Sequence, residues 1–185
     1  EKNWNKNSFG LQTNRSIQLE NIDEADESRI LTSDKELNRV LGGGIVPGSL
    51  TLLGGEPGVG KSTLLLQIAI TLEFKTLYIS GEESQKQIKL RATRMNLNNK
   101  NSYVLSENKI KNVFNEISEL NPKLVIIDSI QTLQSDLVDS SAGSVSQIKQ
   151  TTSELIEFSK HTGVPVILVG HITKDGQIAG PKILE

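Results

Sequence analysis

Short apolar runs alternate with amphipathic stretches along most of this chain, and that alternation sets the expected architecture. Leu50-Thr51-Leu52-Leu53, Thr76-Leu77-Tyr78-Ile79, Tyr103-Val104-Leu105, Leu124-Val125-Ile126-Ile127 and Val166-Ile167-Leu168-Val169 are brief and rich in residues that suit a pleated sheet. The Leu124 run has no polar position, as expected of a strand covered on both faces. Helical patterns separate these runs. One follows Ser62 through Leu64, Leu65, Ile68 and Ala69; a second spans about Ser84 to Met95. A third, Asn108 to Leu120, places Ile110, Val113, Phe114, Ile117 and Leu120 on one face, and a fourth covers roughly Val145 to Lys160. The pattern predicts an α/β fold: a mostly parallel sheet with helices on both faces. In such sheets ligands bind beyond the C-terminal strand ends, so the residues there are the first candidates for chemistry.

The start of the chain reads differently. Residues 1–15 are rich in Asn and Lys and show no period, which suits a disordered leader or linker; Trp4 and Phe9 are isolated aromatics within it. The patterned remainder, 16–185, is expected to form one core. Ser16-Ile17-Gln18-Leu19 suggests a short edge strand. Ser33 with Glu36 reads as a capping box opening a helix that buries Leu37, Val40 and Leu41 and stops at Gly42-Gly43-Gly44. Pro47-Gly48 then turns the chain into the Leu50 strand.

Between that strand and the helix after it lies Gly55-Glu56-Pro57-Gly58-Val59-Gly60-Lys61-Ser62, followed by Thr63. Glycines in this spacing let backbone amides converge on a triphosphate, and the helix N-terminus adds its positive dipole end. Lys61 can reach the β- and γ-phosphates and the Ser62 hydroxyl can ligate Mg²⁺. The competing reading is a glycine-rich turn without a ligand; the coincidence of glycines, lysine, hydroxyl, strand and helix favours a nucleoside triphosphate site.

Asp128 ends the Leu124 strand, where a carboxylate can hold the metal shell, although a capping role is the alternative. Glu82 and Glu83 follow the Thr76 strand. Either can orient and deprotonate a water, Glu82 being favoured, or both can simply stabilise the next helix N-terminus. His171 closes the last apolar strand and suits contact with the γ-phosphate or its water, against the reading of a hydrogen-bonded histidine beneath a loop. His161, near a helix C-terminus, reads as dipole-compensating. Two stretches, Gln134–Ser144 and Thr173–Gly180, read as flexible functional loops, and Lys174 in the second can contact a phosphodiester chain.

Composition narrows the class. A net charge of −2 excludes a uniformly basic, nucleic-acid-coating surface. Lys86, Lys89, Arg91 and Arg94 gather on one helix, which reads as a solvated face, with contact to a polyanion as the alternative. No apolar run is long enough to span a bilayer, and the absence of cysteine removes disulfides and thiolate zinc ligands. A cytoplasmic protein without membrane partners is the expectation.

Several longer segments together resemble the bacterial RadA/Sms DNA repair ATPases: Leu41 to Ser49, Gly54 to Thr63, Tyr78 to Ser84, Gln87 to Ala92, Val125 to Leu133, Gly143 to Gln147, and Gly170 to Lys174 leading into Gly180 to Glu185. The resemblance implies a RecA-like P-loop core that assembles as a homo-oligomeric ring, a hexamer, on DNA. It would couple ATP hydrolysis to movement on single-stranded DNA and to branch migration of recombination intermediates. By the same resemblance Lys61, Ser62 and Thr63 bind phosphate and Mg²⁺, Asp128 is the metal-side acid, and Glu82 activates water. His171 is then the γ-phosphate sensor, and Lys174 sits on a DNA-facing loop. The sheet would run Tyr103, Thr76, Leu124, Val166, Leu50. The family also carries a four-cysteine zinc module before this core, and a Lys-Asn-Arg-Phe-Gly motif and Lon-like domain after it. None of these is in the sequence, so a truncated core, with the Leu50 strand as an open edge, is the expectation. Two other readings stay open: a RecA-like module that uses ATP only as an assembly switch, and a circadian-clock-type relative that phosphorylates itself.

Overall fold

The computed structural model describes residues 16, 18–21 and 28–171. Five strands form one all-parallel sheet: β1 (Leu50–Gly55), β2 (Thr76–Ser80), β3 (Ser102–Ser106), β4 (Leu124–Asp128) and β5 (Val166–His171). Their spatial order is β1-β5-β4-β2-β3, the order the resemblance implied, and among the described residues β1 is an edge strand. The helices are α1 (Lys35–Val40), α2 (Lys61–Thr71), α3 (Gln85–Arg94), α4 (Ile110–Leu120) and α5 (Val145–Thr162).

The two-residue period of β4 explains the layering. Leu124 and Ile126 pack on one side with Leu65, Leu66, Ile68 and Ala69 of α2 and Ile88 of α3. Val125 and Ile127 point the other way, against Val113 and Phe114 of α4 and Ile148, Leu155 and Phe158 of α5. The rings of Phe114 and Phe158 lie 5.5 Å apart and join those two helices. With both faces covered, all five residues of β2 and of β4 are buried, so the polar ends Ser80 and Asp128 are held by a rigid support.

The N-terminal part corrects several expectations. Leu19–Asn21 is a short 3-10 helix rather than part of an edge strand, and Ile17 lies outside the described residues. The cap of α1 is Asp34, whose carboxylate accepts from the Leu37 amide at 2.7 Å. Ser33 instead meets Thr71 Oγ1 at 2.8 Å, and Thr32 and Asn38 bond each other so that position 34 is the one facing the helix start. Val40 is 69% exposed rather than buried: with only six residues, α1 presents its inner face through Leu37 while Val40 points away. The helix does stop at the glycines, as its pattern predicted, with Leu41 as C-cap. α4 begins at Ile110, two residues after its predicted start, because Glu107 accepts from the amides of Asn108 and Lys109 and holds them outside the helix.

Candidate nucleotide site

α2 starts where β1 ends, and it starts without a side-chain cap. Its N-cap is Gly60, in the left-handed region at φ 97°, and nothing lies within 4 Å of where a Cβ would sit. A glycine there lets the loop close without covering the first-turn amides. α1, α3 and α5, by contrast, are capped by the side chains of Asp34, Ser84 and Ser144. α4 also lacks a side-chain cap, but only α2 joins an open first turn to a glycine loop crossed by a lysine, which leaves its donors and dipole for an outside anion. Lys61 is buried, and its ammonium donates to the carbonyls of Gly55 and Glu56 at 2.7 Å each. That pins a positive charge across the loop formed by Gly55, Glu56, Pro57, Gly58, Val59 and Gly60. Thr63 is exposed in the same first turn and Ser62 half-buried.

Asp128 sits at the mouth of β4, 8% exposed. Its Oδ2 accepts the Tyr78 hydroxyl at 2.5 Å, and that hydroxyl also lies 3.5 Å from the Ser62 carbonyl. One phenol thus links the carboxylate of Asp128 to the backbone of Ser62, the residue whose hydroxyl is the other candidate magnesium donor. Burial, reinforced by the Asp128 charge, pushes the Tyr78 phenol well above its usual range, so it remains a neutral donor. Hard oxygen donors of this kind fit Mg²⁺. Among the described residues no cluster of three or more His, Cys, Asp or Glu side chains gathers to hold a metal. Magnesium bound through one or two carboxylates, water and substrate phosphates needs no such cluster.

The two acids after β2 have separate surroundings. The buried Ser80 hydroxyl accepts from the amides of Glu82 and Glu83, at 3.3 and 3.0 Å, and so sets the turn that carries them. Capping of α3 is done by Ser84 and Gln87 in a reciprocal box, so neither glutamate is spent on that helix end. Glu83 pairs with Arg91 at 2.7 Å. Glu82 stays 59% exposed; its Oε1 accepts from Ser129 Oγ at 3.4 Å and lies 4.0 Å from His171 Nε2. On the other side of His171, the buried Nδ1 has no hydrogen-bond partner among the described residues. Glu82, Ser129 and His171 come from the ends of β2, β4 and β5, neighbouring strands of one sheet. The C-terminal edge of the sheet therefore gathers Lys61, Ser62, Glu82, Asp128 and His171, while Lys174 lies outside the described residues.

Two sequence expectations need correction here. Arg91 does not belong to a solvated basic face: it falls on the inner stripe of α3 with Ile88, Ala92 and Met95 and bonds the Tyr78 hydroxyl at 3.3 Å. That i, i+3, i+4, i+7 spacing was the signal available in the sequence. Gln134–Ser144 is not a loose loop at its root. The buried Gln147 amide donates to the carbonyls of Ser135, Val138 and Ser140, and Ser135 Oγ donates to Glu154 at 2.6 Å. Tyr78 and Ser129 have roles in the site that residue spacing did not single out.

A parallel sheet with a glycine-rich turn into an uncapped helix and a carboxylate on the adjoining strand end defines a P-loop NTPase core of the AAA type. The AAA domain family matches residues 13–177, and the chain belongs to that family. Within it, the chain is 50% identical over 182 residues to the DNA repair protein RadA of Bacillus subtilis (strain 168), covering 96% of this chain and 40% of that protein. It is 53% identical over 167 residues to RadA of Halalkalibacterium halodurans, covering 89% of this chain and 36% of that protein. RadA of Campylobacter jejuni is 47% identical over 178 residues, covering 95% of this chain and 40% of that protein. The chain thus spans about 40% of the length of these curated relatives. The resemblance drawn from the motifs is matched by homology across nearly the whole chain. Among the described residues no helix is long and apolar enough to cross a membrane.

Proposed function

We propose that this chain is the ATP-hydrolysing core of a DNA repair protein that acts on single-stranded DNA and on branched recombination intermediates. The observation that carries the enzymatic part is the separation of Glu82 from Glu83. One acid is tied to Arg91, while the other faces outward beside Ser129 and His171. An exposed carboxylate at a sheet mouth, next to an uncapped helix and an Mg²⁺-suited acid, is arranged for water attack on a terminal phosphate.

The residues divide the work as follows. Lys61 and the first-turn amides of α2 bind and orient the β- and γ-phosphates, aligning the leaving oxygen. When bound, Mg²⁺ supplies Lewis-acid neutralisation of the phosphate oxygens, held from Ser62 and through water from Asp128. Glu82 accepts a proton from water as its oxygen bonds to the γ-phosphorus; the bond from that phosphorus to the β–γ bridging oxygen breaks, giving ADP and inorganic phosphate. Ser129 steadies the Glu82 carboxylate. His171, with one nitrogen near Glu82, reports γ-phosphate occupancy to the chain that follows β5.

The names of the relatives support DNA repair as the setting. DNA contact at Lys174 and assembly into a hexameric ring extend this reading. ATP turnover measured with and without single-stranded DNA tests it: DNA should accelerate turnover, and raised salt should weaken that effect. Turnover indifferent to DNA at every salt concentration would remove the DNA-dependent part. Binding of ATP with no turnover would favour an assembly switch instead.

A further inference from the structure

The phenol of Tyr78 lies between two acceptors for its single proton: Asp128 Oδ2 at 2.5 Å and the Ser62 carbonyl at 3.5 Å. A third group approaches its oxygen. Arg91 Nη2 donates to it at 3.3 Å, and the same nitrogen lies 2.7 Å from the Glu83 carboxylate. The result is a chain of contacts from Glu83 on the β2–α3 turn, through Arg91 of α3 and Tyr78 of β2, to Asp128 on β4. Tyr78 is 1% exposed and Asp128 8%, while the side chains of Arg91 and Glu83 are 22% and 33% exposed. Every member is thus at least partly shielded from water, where such hydrogen bonds hold direction well.

We propose that Tyr78 and Arg91 are positioning residues for the metal site: Arg91 fixes the phenol, the phenol claims Asp128 Oδ2, and Oδ1 is left turned toward the metal's water shell. The inference rests on the nucleotide reading above, which it deepens by giving Glu83 and Arg91 a task distinct from that of Glu82. The physical reason is torsional. A carboxylate on a strand end can rotate about its terminal bond, and a phenol can turn its proton to either acceptor. Arg91 occupies an acceptor direction of the phenolic oxygen, which favours delivery of the proton to Asp128 rather than to Ser62. Glu83 in turn balances the guanidinium charge, so that it need not compete with the metal for Asp128. Both contacts run from one guanidinium nitrogen, Nη2, so a single cationic donor joins the phenol to Glu83.

The test uses the full chain, a fluorescent non-hydrolysable ATP analogue and titration with MgCl₂. Wild type should bind the analogue more tightly as Mg²⁺ is added. In Tyr78→Phe the Mg²⁺ midpoint should rise by about 10- to 100-fold, the usual effect of losing a group that orients a metal ligand, while metal-free affinity stays within about twofold. Arg91→Met, which removes the donor that holds the phenol, should shift the midpoint in the same direction by less. A merely structural role would lower thermal stability and leave the Mg²⁺ midpoint in place, and that result would overturn the proposal while the nucleotide site stands. If Tyr78→Phe does not fold, Arg91→Met decides: an unshifted midpoint overturns the proposal. A wild-type chain that binds no analogue at any Mg²⁺ concentration would defeat the nucleotide reading itself.

Discussion

α2 and α3 both begin at the C-terminal edge of the same sheet, each after a short turn from a buried or half-buried strand, yet their first turns are finished differently. α3 is closed: Ser84 and Gln87 satisfy each other's amides, and the glutamate next to the turn is tied by Arg91. α2 is open: Gly60 has no side chain to offer, and Lys61 is folded back over the loop carbonyls. Orphan amides at a helix start must be satisfied by something. Where the sequence supplies a serine and a glutamine, that something is internal, and the helix is structural. Where it supplies glycine, the requirement is passed to a ligand. One sheet edge therefore holds a binding end and a supporting end a few strands apart.

That contrast can be broken from several directions. The largest effect is expected at the carboxylate the closed helix leaves free. Glu82→Gln should cut ATP turnover by about 10²–10⁴-fold with nucleotide binding retained. Glu83→Gln should lose much less, and a reversal of that order in steady-state assays would reassign the base. Next comes Gly81, where a Cβ would overlap the Thr132 side chain on the short 3-10 turn Ile130–Thr132. Gly81→Ala should cost about 1–3 kcal/mol in urea unfolding and displace Glu82, lowering turnover as well. Closing the contrast from the other side, Ser84→Ala removes the cap of α3 and should cost about 1 kcal/mol, a fall of roughly 2–4 °C in Tm. An unchanged melting curve would mean that the capping box does not hold that turn.

The smallest effect is pH-dependent. Backbone donation from Lys109, aided by the Asn112 side chain and the Asn108 amide and opposed by burial, holds the Glu107 carboxyl below its usual range. A lowered folded pKa means that the carboxylate stabilises the fold above the ordinary carboxylate value and that this contribution is lost as pH falls through the folded one. Wild type should therefore melt above Glu107→Gln near neutrality, with the gap closing in acid. A gap that is constant with pH would rule out a stabilising Glu107 charge on that turn.

Much of this was legible in the chain because its causes are local. Five apolar runs gave five strands, and the phosphate loop could be read residue by residue from glycine geometry and one lysine. Helix ends were harder where neighbouring residues compete. Ser33 and Asp34 are both capable caps, and the choice fell to Asp34 through the Thr32–Asn38 contacts and the long-range bond from Ser33 to Thr71. Val40 kept a helical spacing but, in so short a helix, has nothing to pack against. The Tyr78–Asp128 bond joins residues far apart in sequence on adjacent strands. Each looks ordinary alone, an aromatic in a strand and an acid at a strand end; only the pairing of β2 with β4 makes them partners. Arg91 shows the reverse case, since its place on the inner stripe of α3 was readable but was hidden among the other basic residues of that helix.

The central claim is that the open end of α2, with Lys61, holds a nucleoside triphosphate. Calorimetric titration of wild type and Lys61→Ala with a non-hydrolysable ATP analogue and Mg²⁺ tests it most directly. Saturable binding to wild type, weakened at least about tenfold in Lys61→Ala, as expected when a charge-assisted contact to phosphate is lost, is the predicted result. Equal affinity in the two proteins, or no binding to either, would contradict it.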